Sequence, residues 1–170
     1  MRHFAVWVSA IAVAMGGAAG VLSNGGSVPP KEEAEQVMDA GIPFAQKMLA
    51  AHGEFYPFGF AMTADGKVAA VAAGSSDEHP PSQQVIDDLM SAFRSGAAKG
   101  YYKVTAVFFD VRVQQPGTSE KTDAVQVGLE HVSGYCVDVF FPYSRTVKGE
   151  VNYGTAFASK RAGVVFGTCK

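Results

Sequence analysis

The side chains best placed to do chemistry are four charged ones, Asp110, Arg112, Glu130 and Asp138. Glu130 and Asp138 flank a short turn in the stretch from Val125 to Tyr143, VQVGLEHVSGYCVDVFFPY, and Asp110 and Arg112 lie on the preceding run of alternating residues. Carboxylates held together beside a guanidinium suit acid–base work or cation binding, because each shifts its neighbour's proton affinity. Solvated sheet faces carry the same charges routinely, and there exposed pairs contribute little. Elsewhere the chain is sparse in chemistry. Its four histidines, His3, His52, His79 and His131, show no H-x-x-x-H, H-E-x-x-H or Cys/His spacing, so no metal site is expected. Walker, glycine-rich phosphate and G-x-S-x-G sequences are absent, and Ser133 before Gly134 reads as a turn residue rather than a nucleophile. No cofactor is implied.

What positions the acids is a hairpin. With period two, Val125, Val127, Leu129 and His131 form one row and Tyr135, Val137, Val139 and Phe141 another. A three-residue turn, Val132-Ser133-Gly134, closed by Gly134 at positive φ as a G1 bulge, sets Leu129 opposite Val137, Val127 opposite Val139 and Val125 opposite Phe141. That register gives one apolar face. A two-residue turn would set Leu129 against Asp138 and mix the faces, so the bulged form is expected. It places Glu130 opposite Cys136 and Gly128 opposite Asp138 on the other face, the two carboxylates being diagonal neighbours. A neighbouring strand is expected to add Asp110 and Arg112 to that face.

Residues 1–20 read as a signal peptide: Arg2 is the positive start, Phe4 to Met15 the apolar stretch, and Ala18-Ala19-Gly20 the small-residue cleavage site. The alternative is a retained N-terminal membrane anchor facing the periplasm, since Phe4 to Leu22 could just span a bilayer. Either way the expected location is periplasmic or secreted, with membrane contact only through that segment if it is uncleaved. In an oxidising compartment an even cysteine count favours a disulfide between Cys136 and Cys169, against two unrelated thiols. There is no CxxC, so a thioredoxin-like redox role has no support. The formal charge is −2 for 170 residues, which favours neither nucleic acid nor an anionic membrane surface as a partner.

Residues 21–29 form a glycine-rich flexible junction, and 30–170 a single domain. A first helix opens at Pro29-Pro30 with Ala34, Val37, Gly41, Phe44, Met48 and Ala51 on its apolar stripe, and Pro43 predicts a kink or break near Gly41-Ile42. In EFYPFGF, residues 54–60, Phe55, Phe58 and Phe60 read as core anchors rather than a ligand-stacking platform. Strands follow around Asp65-Gly66, then a helix from Pro81 or Ser82, a long strand from Tyr101 to Val113, the hairpin, a short strand near Glu150 to Tyr153, and a last strand over Ala162 to Gly167. The order α-β-β-α-β-β-β with a short C-terminal strand predicts an α+β fold, an antiparallel sheet of about five to seven strands with both helices on one face.

The combination EFYPFG, HPPSQ and LEHVSGYCVDVFFPY resembles a family of small exported bacterial α+β proteins with no assigned activity, over about Glu54 to Tyr143. The element order is loosely similar to that of profilin-like and roadblock-type domains, which implies a protein-interaction platform. The expectation is an exported binding domain rather than an enzyme, recognising a protein partner in an inhibitor, immunity or envelope-accessory role. The alternatives are a hydrolase or small-ligand binder using the Asp110, Arg112, Glu130 and Asp138 face, and a structural envelope component.

Overall fold

The computed structural model describes residues 27–72 and 81–169. The expected leader, most of the junction and His79 lie outside the described residues. The first helix, α1 (Pro30–His52), begins with a proline that has no amide to leave unpaired and carries Glu32 and Glu33 in its positive first turn. It ends at Gly53, whose φ of 84° is the left-handed cap. The predicted break at Pro43 does not occur, and the helix runs through it. Proline costs the helix one hydrogen bond, and packing of the helix on the sheet outweighs that loss.

Seven antiparallel strands follow the order β2-β1-β3-β4-β5-β6, with β7 as a second partner of β5. They are β1 (Phe58–Thr63), β2 (Val68–Val71), β3 (Tyr102–Gln114), β4 (Lys121–His131), β5 (Cys136–Arg145), β6 (Val151–Tyr153) and β7 (Phe157–Lys160); α2 (Ser82–Ala98) lies between β2 and β3. Strand β7 pairs with Val137–Phe140 and β6 with Tyr143–Arg145, so the two divide one edge of β5. The α+β class and the antiparallel sheet are as expected.

The helices do not share a face. Along β3, Val104, Ala106 and Phe108 belong to the core under α1, with Ala34, Val37, Ala45 and Leu49, whereas Val107 belongs to a second core with Val85, Leu89 and Phe93 of α2. Successive strand residues point to opposite faces, and β3 is apolar on both. This nearly continuous apolar run is the signature of a strand covered twice. Such a strand accepts a helix on either side, so the expectation of both helices on one face is corrected to one on each.

The stripe of α1 also differs from expectation. Its second half buries Ala45 and Leu49, not Phe44 and Ala51, and Phe44 is left 44% exposed. The reason is Gly41, which lies against the Phe108 ring so closely that a Cβ there would overlap it. Gly41 and Ala45 form the close-approach side of the helix, which turns Phe44 and half-buried Met48 to the flank. The strand predicted at Ala162–Gly167 is irregular instead. That segment crosses the face of the sheet that α2 leaves open.

Candidate functional site

The hairpin register is the bulged one. Glu130 pairs with Cys136, Gly128 with Asp138, Leu129 with Val137 and Val125 with Phe141, and Gly134 has φ of 95°. Cys136 and Cys169 form a disulfide, with Cα atoms 5.7 Å apart. Their bridge fits an extracellular location, and among the described residues no helix is long and apolar enough to cross a membrane.

The expectation that Glu130 and Asp138 stand on a solvated face is overturned. Glu130 is 1% exposed. The C-terminal strap, residues 161–169, lies over it: Val164 N and Val165 N donate to Oε2 at 3.0 and 2.9 Å, and Arg161 Nε donates to Oε1 at 3.2 Å. Arg161 Nη1 also donates to Asp138 Oδ1 at 2.9 Å, as does Gln126 Nε2 at 3.0 Å. The guanidinium can descend this far because Gly128 beneath it has no side chain; a Cβ there would lie 2.5 Å from Arg161 Nη1. The amides of Val164 and Val165 are thus spent on a carboxylate, while Arg161 N at the start of the strap donates to Cys136 O of β5 at 3.4 Å.

Asp110 and Arg112 do not join them. Asp110 pairs with Val125 and Arg112 with Asp123 across β3 and β4, and paired residues share a face, so both point to the α1 side. The predicted four-residue constellation is therefore split between the two faces. Asp110 accepts a hydrogen bond from Tyr143 Oη at 2.9 Å. Burial raises its pKa, with Tyr143 opposing, and burial together with Asp110 pushes the Tyr143 phenol up. Arg112 is exposed, 3.9 Å from Asp123.

A cluster that the sequence did not announce joins the start of α1 to the hairpin tip. His131 Nε2 lies 3.0 Å from Glu33 Oε2, and Lys103 Nζ donates to Glu33 Oε1 at 2.6 Å. Ser133 N donates to His131 Nδ1 at 2.9 Å, so Nδ1 is an acceptor and Nε2 carries the proton given to Glu33. Lys103 holds the Glu33 carboxyl below its ordinary pKa; burial opposes it and His131 assists. With Ser133 Oγ 2.8 Å from Nδ1 the chain has the outline of a hydroxyl–imidazole–carboxylate relay. The turn supplies no amide to stabilise an oxyanion, since Val132 N, Ser133 N and Gly134 N donate to Lys103 O, His131 Nδ1 and His131 O. The cluster ties the start of α1 to β3 and to the hairpin tip. Glu33 and His131 are too far apart in sequence for any local spacing to reveal them.

The remaining feature is a groove of about 620 Å³ lined by Met48, His52, Glu54, Phe55, Tyr56 and Ser82. Tyr56 is 53% exposed and Phe44, one turn before Met48, is edge-on to Phe58 at 4.7 Å. Phe55 and Phe58 are core members as expected, but Phe44 and Tyr56 present aromatic surface to solvent. No family model, curated protein or solved structure matches the chain.

Proposed function

We propose that the protein is an exported, non-enzymatic binding domain, periplasmic or secreted, that recognises another protein in an inhibitor, immunity or envelope-accessory role. The observation that carries this reading is the aromatic flank. Tyr56 stays exposed in the lining of a groove and Phe44 stays exposed on α1, one turn from the groove's Met48, and aromatic side chains are enriched at protein interfaces. The disulfide supports export. The charged groups a hydrolase would need are divided between two faces or engaged internally.

The test is capture from an envelope extract with the full exported chain as bait, beside a Phe44→Ser/Tyr56→Ser bait of unchanged melting behaviour. The expected result is one partner whose affinity falls on the order of 30-fold in the double variant, the effect of a hot spot worth about 2 kcal/mol. A partner held equally by both baits would place the interface elsewhere. Tyr56→Phe should retain most of the binding.

A further inference from the structure

Among the described residues one group of ligand-type side chains converges: the two sulfurs of Cys136 and Cys169 and a carboxylate oxygen of Glu130 all lie within 4.8 Å of one another. We propose that this cluster is a redox-gated zinc site, closed by the disulfide and opened by its reduction. The donor set, two thiolates and a carboxylate, is one that Zn²⁺ takes in tetrahedral coordination, with solvent as the fourth ligand.

Three observations carry the proposal. The sheet register fixes Glu130 directly opposite Cys136, so two of the three ligands are held by backbone pairing on a rigid hairpin rather than by a loop. The Glu130 carboxylate is already oriented by the amides of Val164 and Val165, which play the part of outer donors that aim a metal-binding carboxylate. The charge of the patch is also preserved. Two thiolates add two negative charges and Zn²⁺ adds two positive ones; Arg161, which now bridges Glu130 and Asp138, yields its Glu130 contact to the ion and keeps Asp138.

The chemistry balances with a dithiol as reductant. Two electrons and two protons pass to the sulfurs as the S–S bond breaks, the dithiol leaves as a disulfide, and Zn²⁺ then displaces the two thiol protons. The ion replaces the covalent tie between the strap and β5. None of residues 161–169 is buried, so without one of these ties the strap is held by polar contacts and little apolar area.

The experiment titrates Zn²⁺ into the full chain, oxidised and reduced with a phosphine, and repeats the reduced titration with Co²⁺ as a spectroscopic reporter of tetrahedral thiolate ligation. The expected result is one ion per reduced chain, none per oxidised chain, and affinity lower by about tenfold or more in Glu130→Gln. Equal binding by oxidised protein, equal affinity in Glu130→Gln, or no stoichiometric binding on reduction would each overturn the proposal. Should reduction unfold the chain, Zn²⁺ must restore its near-ultraviolet circular dichroism, and failure to do so would count equally against it.

Discussion

The buried Glu130 carboxyl accepts from two amides and a guanidinium, so Glu130→Ala leaves both amides without an acceptor under the strap and Arg161 with Asp138 alone. The variant should lose about 3–5 kcal/mol, read by urea denaturation. Asp110 is penalised by burial, which raises its pKa against the opposing hydrogen bonds from Tyr143 and the Phe55 backbone. Its ionised form is therefore disfavoured in the folded state; the cost is fully present above the raised folded pKa and shrinks as the pH falls from there to the ordinary carboxyl value, below which it is gone. Asp110→Asn keeps an acceptor for Tyr143 and removes the charge. It should raise the melting midpoint at neutral pH, with the gain vanishing in acid; a gain that persists at low pH would mean that the charge is not its source. At this scale the sequence was informative about register and silent about cover. Alternation and Gly134 dictate which residues oppose Glu130, but nothing in AGVVFG signals that its amides will turn onto a carboxylate.

Among the elements, α1 depends on small residues more than on its apolar ones. Replacing a helix-interior glycine with alanine ordinarily stabilises by about 1 kcal/mol. At Gly41 the new methyl would meet the Phe108 ring, itself stacked on Phe58 at 4.6 Å. Gly41→Ala should therefore destabilise, by about 1–3 kcal/mol, the range for overpacking, and Gly41→Ala/Phe108→Leu should recover part of the loss in the same denaturation assay. The extent of α1 was legible from its prolines, its acidic first turn and Gly53. Its facing was not, because a stripe of apolar residues does not reveal that a glycine will be the point of closest approach. The displaced Met48 lines the aromatic groove, and Phe44 stands exposed one turn before it.

For the whole molecule, the antiparallel sheet follows from tight turns and period-two strands, and both are visible in the residues. The arrangement of layers is not, because a strand such as β3, apolar on both sides, is compatible with a helix on either face. Cover for the second face comes from two unlike sources, α2 over β1 and β3 and an irregular strap over β4 and β5. Only the first has a periodic signature. The polar cluster of Glu33, Lys103 and His131 is invisible for the same reason, since its members come from three elements distant in sequence.

The strap also imposes an order of events on the making of the protein. A chain emerges from its N-terminus, so the hairpin bearing Glu130 and Cys136 is complete while Cys169, 33 residues further on, has yet to arrive. Until it does, a carboxylate destined to be 1% exposed stands in water and Cys136 is an unpaired thiol. That interval is when Cys136 is open to a thiol of another molecule, and it closes with the arrival of Cys169 rather than with the folding of the sheet.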